Sequence, residues 1–167
     1  MSSLFFLSTD DFYNARASDN NNVLCHHIKG FSFVLFYSNN CVHSQQLLPI
    51  FKTLPPMING CAFGIVNLQQ NMDLVHFSKG TNTEISFVPL LILYINGYPY
   101  ANYTGPANIP TIQNFILNIS NSVHETGFME TIKSNGIPAF SIGHPLYGQT
   151  SIEYLEYNNI IGYKKSS

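Results

Sequence analysis

The stretch Phe36-Tyr37-Ser38-Asn39-Asn40-Cys41-Val42-His43-Ser44-Gln45-Gln46-Leu47-Leu48-Pro49 holds the residues best suited to chemistry. An apolar run of strand character leads into it and helical spacing follows, so Cys41 is expected in the first turn of a helix. A helix N-terminus carries partial positive charge and unsatisfied N–H groups, which favour a thiolate over a thiol. His43 falls in the same turn and, when protonated, would add to that effect. This is the environment of a nucleophilic sulfur. Helices also begin near buried, inert cysteines that act as small hydrophobes, so the position alone does not decide.

The other candidates read more simply. Cys25-His26-His27 has metal-ligating residue types, but adjacent helical residues point in different directions. No second ligand pair stands at zinc-site spacing, so no metal site is expected. Cys61 lies just before an apolar run and reads as a small hydrophobe. Cysteines at 25, 41 and 61 cannot make a disulfide-stapled framework. Asn102-Tyr103-Thr104 and Asn118-Ile119-Ser120 fit the glycosylation pattern, which matters only with a secretory signal. The tyrosines between 94 and 103 suit either an ordinary hairpin face or a sticky surface.

The chain has 167 residues, 45% of them hydrophobic, which suffices for one domain with room for an appendage. A net charge of −2 and a pI near 6.3 supply no electrostatic footprint for nucleic acid. No apolar run approaches the roughly 18–20 residues that span a bilayer. Leu4-Phe5-Phe6-Leu7 is too short for a signal peptide's apolar region, and no basic residue precedes it. A cytoplasmic or virion setting with reduced thiols is therefore expected. Charged residues make up only 10%, against roughly 25% in an average domain. Nineteen asparagines accompany abundant Phe and Tyr. These residues have AT-rich codons, so nucleotide bias accounts for the composition. A surface buried in an assembly would favour the same low charge.

The elements that must position Cys41 follow an α/β pattern. Residues Ser3–Ser8 read as a short strand. Asp10–Ile28 reads as a helix capped by Asp10 or Asp11, with Phe12, Ala15, Val23 and Leu24 inward, interrupted at Asp19-Asn20-Asn21-Asn22. Phe31–Tyr37 is apolar except at Ser32 and reads as a strand buried on both faces. Asn39 and Asn40 offer caps to a helix over Val42–Leu54, which Pro49 should kink. Ala62–Asn67 is a second buried strand, and Met72–Phe77 a short helix. Phe87–Ile95 is a third apolar strand ending at Asn96-Gly97, a hairpin signal, with Tyr98–Tyr103 as its partner. Asn108–Ser120 places Ile109, Ile112, Phe115, Ile116 and Ile119 on one helical face. The predicted order is βαβαβαββα, a parallel start with a late antiparallel hairpin.

With these residues in place, the sequence resembles the thioredoxin superfamily, and most of all protein disulfide isomerase domains. Their motif runs Phe-Tyr-Ala-Pro-Trp-Cys-Gly-His-Cys-Lys-x-Leu-x-Pro. Phe36, Tyr37, Cys41, His43, Leu47 and Pro49 match it in register. Val88-Pro89 stands where that family has its cis-proline. Tyr103-Thr104-Gly105 matches the family's Tyr-x-Gly, and Ile112-Gln113-Asn114-Phe115-Ile116 its closing Ile-x-x-Phe-Ile. The resemblance covers residues 3–121. It implies a thioredoxin-like α/β fold with a central mixed sheet and helices on both faces. Residues 1–121 would form that domain, and residues 122–167 a C-terminal extension or docking arm.

Three departures shape the expected chemistry. Ser44 replaces the second cysteine of Cys-x-x-Cys, which in dithiol enzymes releases the mixed disulfide. Asn40 replaces the preceding aromatic. Leu35 stands where the family has a buried acid that serves the second thiol. Together they describe a Cys-x-x-Ser site, either monothiol or retired. In the monothiol reading Cys41 is the nucleophile, His43 stabilises its thiolate, Ser44 donates a hydrogen bond to it, and Val88 and Pro89 shape the substrate groove. Partners would be protein thiols or disulfides, with no cofactor. Monothiol glutaredoxins also carry Cys-x-x-Ser and hold an iron–sulfur cluster with glutathione, but the Leu-x-Pro helix and Tyr-x-Gly point to the other branch. In the alternative reading the domain is a redox-retired interaction module. Low charge, AT-rich composition and thioredoxin relatives in large DNA viruses would then suggest a virion, with a minor capsid role. The arm carries Ile132, Ile137, Phe140, Leu146, Tyr154 and Leu155 among other apolar residues. It is too apolar for a free tail, and Ile152–Tyr157 is expected to add a strand to a sheet edge.

Overall fold

The computed structural model describes residues 4–16, 22–103, 106–126 and 155–156. In chain order the strands are β1 (Leu4–Leu7), β2 (Tyr13–Arg16), β3 (Asn22–Cys25), β4 (Phe31–Tyr37), β5 (Cys61–Asn67), β6 (Phe87–Val88), β7 (Leu90–Ile95), β8 (Tyr98–Asn102) and β9 (Leu155–Glu156). The helices are α1 (Val42–Lys52), α2 (Met72–Ser78) and α3 (Ile109–Thr126). Five strands form one sheet in the order β1-β5-β4-β7-β8. β1, β5 and β4 run parallel, while β7 and β8 are antiparallel to their neighbours. This is the thioredoxin-like architecture.

Alternation along the central strands divides the core in two. Phe33 and Leu35 of β4 and Leu91 and Leu93 of β7 pack with Leu47 and Phe51 of α1 and with Ile112 and Phe115 of α3. Val34, Phe36, Ile92 and Tyr94 face the other way, onto Leu74 and Val75 of α2. Every residue of β4 is buried, as its apolar run predicts. The sheet therefore has helices on both faces, and β4 delivers its C-terminal end to the start of α1. Asn96 and Gly97 both have positive φ, 52° and 83°, and close the predicted two-residue hairpin between Ile95 and Tyr98.

The sequence reading is corrected at three places. Asp10–Ile28 is not a helix. A single 3-10 turn at Thr9–Asp11 is closed by the Asp11 carboxylate, which accepts the Ser8 N–H at 2.8 Å. The antiparallel hairpin β2–β3 follows. Tyr13 and Ala15 lie partly buried while Asn14 and Arg16 are exposed, so the period is two rather than 3.6. The Asn and Asp residues here are weak helix formers, which removes the competing drive. Second, Phe87–Ile95 is two strands, β6 and β7, with Pro89 between them, a residue that has no N–H to give to a ladder; the Val88–Pro89 peptide is cis. Third, α3 runs to Thr126, past the expected end at Ser120. The Asp19–Asn21 part of the polar run, Thr104-Gly105 and most of the 122–167 arm lie outside the described residues. Among the described residues, no helix is long and apolar enough to cross a membrane.

Candidate functional site

Cys41 is the N-cap of α1, so the cap is a sulfur and not the side chain of Asn39 or Asn40. Its backbone is extended, with φ −99° and ψ 121°. The chain turns there because the Cys41 N–H donates to the Ser38 carbonyl at 3.1 Å while the Cys41 carbonyl already accepts the Gln45 N–H. The Ser44 backbone N–H donates to Sγ at 3.4 Å. One orphan donor of the helix end is thereby satisfied by sulfur, in the way an oxygen cap would do it.

Ser44 touches the sulfur through its main chain. Its hydroxyl instead accepts the Ser38 N–H at 3.4 Å, so the side-chain hydrogen bond expected from Ser44 to Cys41 is replaced by a backbone one. Both serines are fully buried. His43 lies one residue earlier in the same helical turn and is partly buried. Val42 beside it is 58% exposed, an apolar side chain presented to solvent next to the sulfur.

The second side of the site comes from β6. The Cys41 thiol donates to the Val88 carbonyl at a donor–acceptor separation of 4.0 Å. Val88 precedes the cis bond to Pro89, so the residue in contact with the Cys41 sulfur is the one before the proline. Cys41 itself is 0% exposed and shares its apolar cluster with Phe36, Val66, Leu68 and Val88. Leu35 sits fully buried on the opposite face of β4, in the cluster of α1 and α3, where it supplies no proton acceptor.

Residues not singled out from the sequence complete the turn. Ser38 accepts the Asn40 N–H through Oγ at 3.3 Å. The Gln45 amide donates to the Asn39 carbonyl. Gln69 accepts the Asn39 N–H at 3.2 Å. Ser38 was visible as a small polar residue at the end of an apolar strand; the long-range partner Gln69 carried no local signal.

The remaining candidates are occupied structurally. The Cys25 thiol donates to the Val23 carbonyl at 3.7 Å, His26 bonds Ser32 and Ile28, and the His27 ring stacks on Tyr13 with centroids 4.6 Å apart. These three residues thus face different neighbours. Burial pushes the thiols of Cys25 and Cys61 up to about 12. Among the described residues, no group of three or more potential ligands is placed to hold a metal ion.

No protein-family model matches the chain. It is 32% identical over 129 residues to uncharacterized protein 196R of Invertebrate iridescent virus 6, covering 77% of this chain and 73% of that protein. It is 24% identical over 157 residues to uncharacterized protein 020R of Invertebrate iridescent virus 3, covering 92% and 93%. Among solved structures, a crystal structure of human ERp44 aligns with a TM-score of 0.48 and 26% identity, over 54% of this chain and 25% of that one. The chain thus matches a quarter of ERp44's length. Reduced Schistosoma mansoni thioredoxin aligns with a TM-score of 0.48 and 19% identity, over 70% of this chain and 98% of that one.

Proposed function

We propose that this chain, which belongs to the family of protein 196R of Invertebrate iridescent virus 6, carries out thiol–disulfide exchange through the single sulfur of Cys41. The supporting observation is the placement of that sulfur. It caps α1, receives the Ser44 N–H, and faces the carbonyl of Val88 at the head of the cis-proline strand.

The reaction needs no cofactor. Cys41 loses its proton, and its thiolate attacks one sulfur of a substrate disulfide. The substrate S–S bond breaks as a Cys41–substrate disulfide forms, and the other substrate sulfur leaves as a thiolate that takes up a proton. Ser44 offers no second thiol to complete a reduction. A second, external thiol attacks the mixed disulfide instead, forms a new disulfide with the substrate sulfur, and releases Cys41. Disulfide bonds are re-paired, with no net oxidation or reduction. In this scheme the Ser44 N–H remains on the thiolate, His43 in the same helical turn helps to stabilise it, and Val88 and Pro89 shape the groove for an extended protein substrate.

A second reading has its own observation. Cys41 is wholly buried, which suits a retired site in a domain kept for binding, with residues 122–167 as its docking arm. A place in the virion or the cytoplasm of an infected cell belongs to both readings and rests on the viral relatives. A re-pairing assay separates them. A test protein with scrambled disulfides is incubated with a small thiol. The exchange reading expects faster recovery of native pairs with the wild-type chain than with Cys41→Ser; equal rates favour the binding module.

A further inference from the structure

We infer that the chain's own Leu155–Glu156 segment occupies the polypeptide-binding edge beside Cys41 and competes with substrate for it. This rests on the reading of Cys41 as the exchanging sulfur. β9 pairs antiparallel with β6, placing Leu155 opposite Val88 and Glu156 opposite Phe87. The pair forms a two-stranded sheet of its own, apart from the five-stranded one.

Val88 joins the two observations. Its main chain meets β9, and its carbonyl oxygen lies 4.0 Å from the Cys41 sulfur. A protein disulfide that reaches Cys41 must arrive on an extended segment laid along this stretch of backbone. Such a segment adds itself as a strand, through main-chain N–H and C=O groups that need no particular sequence. β9 already uses that edge. Two strands cannot pair with one edge of Phe87–Val88 at once, so substrate must displace Leu155–Glu156. Because β9 belongs to the same chain, its competition is intramolecular and does not fall with dilution, as that of a separate chain would. The complete burial of Cys41 is the state expected of a site held closed. The segment therefore limits exchange to extended chains that bind the edge well enough to replace it.

The test uses the full chain with Leu155→Pro and Glu156→Pro together, which removes the main-chain donors of β9. Iodoacetamide labelling at neutral pH is followed for each cysteine by peptide mass spectrometry. Cys41 should react at least about tenfold faster in the variant than in the wild type, with Cys25 and Cys61 still protected as reporters of an intact core. An unchanged Cys41 rate with those two protected overturns the inference. Hydrogen exchange of the wild-type chain gives a reading that does not depend on the variant folding. A proteolytic peptide containing Leu155 and Glu156 should carry amides slowed at least about tenfold in the intact chain relative to the free peptide, and unslowed amides overturn the inference. Labelling reports access and not exchange. A variant whose Cys41 is alkylated quickly but forms no mixed disulfide with glutathione disulfide refutes the exchange reading and supports the occupied edge.

Discussion

The sulfur of Cys41 and the backbone nitrogen of Ser44 are 3.4 Å apart, and this contact makes a thiol the cap of helix α1. Three residues after the cysteine, where a dithiol site would present its second sulfur, the chain offers an N–H to the first one and turns a serine hydroxyl toward Ser38. The same position therefore caps with the first sulfur and withholds the resolving group.

Insulin reduction with dithiothreitol measures what is withheld. The wild-type chain should run below about a tenth of the rate of a dithiol thioredoxin, since nothing at position 44 can release the mixed disulfide. Ser44→Cys should raise the rate several-fold, short of a full dithiol site because Leu35 supplies no carboxylate to take the second thiol's proton. A wild-type rate equal to that of a dithiol enzyme would show that a resolving thiol is not needed here.

Cys25 and Cys61 give a contrasting pair. With burial pushing both thiols up to about 12, their thiolate fraction near neutral pH is on the order of one in a hundred thousand. Alkylation of the native chain should spare both, and alkylation in denaturant should modify all three cysteines. Ready labelling of Cys25 or Cys61 in the native chain would contradict the core described here.

His26 makes stability depend on pH. Its Nδ1 accepts the Ile28 N–H at 3.1 Å, so the ring proton sits on Nε2 and reaches Ser32 Oγ at 3.0 Å. Burial is the main cause that lowers its pKa to about 4; His27 adds to the shift and Asp11 opposes it. An unfolded histidine titrates near 6.5, so between about pH 6.5 and pH 4 the unfolded chain binds the extra proton. Stability should fall as pH drops through that window, by up to about 3 kcal/mol from this residue. Urea midpoints at about pH 7 and about pH 4.5 measure it, and His26→Gln should flatten the slope between them. A wild-type midpoint that holds steady or rises on acidification would contradict the assignment.

Two glycines separate conformation from contact. Gly60 and Gly97 both have φ near 80°, but a Cβ at Gly60 meets nothing within 4 Å, whereas one at Gly97 would lie 1.8 Å from the His26 carbonyl oxygen. Gly97 also accepts the His26 N–H at 3.0 Å, tying the β7–β8 turn to the end of β3. Gly60→Ala should cost about 1 kcal/mol and Gly97→Ala about 3 kcal/mol or more, read from chemical denaturation. Equal costs would mean that the turn yields without disturbing β3.

The site was legible where local chemistry and long-range packing ask for the same residues. Phe31–Tyr37 could only be a strand buried on both faces, and it had to deliver Cys41 to a helix start. Asn96-Gly97 could hardly be other than a two-residue turn. Asp10–Ile28 misled because Phe12, Ala15, Val23 and Leu24 suit either period, and the contacts that settle it come from far along the chain. Thr83 Oγ1 accepts the Leu24 N–H at 2.7 Å, and the Asn22 carbonyl accepts the Asn82 N–H at 2.9 Å. The sulfur cap was hidden for another reason. Asn39 and Asn40 are better caps by residue type, but the Asn39 and Asn40 N–H groups are drawn to Gln69 and Ser38, which leaves the cap to Cys41.

Exchange through a single sulfur requires that Cys41 form a disulfide that another thiol can undo. Intact-mass measurement of the native chain after glutathione disulfide, and again after reduced glutathione, tests this directly. One glutathione should add to the wild-type chain, map to Cys41, and leave on treatment with the second thiol, while Cys41→Ser should gain none. A native wild-type chain that takes up no glutathione, or takes it up equally in Cys41→Ser, would contradict the assignment of Cys41 as the exchanging sulfur.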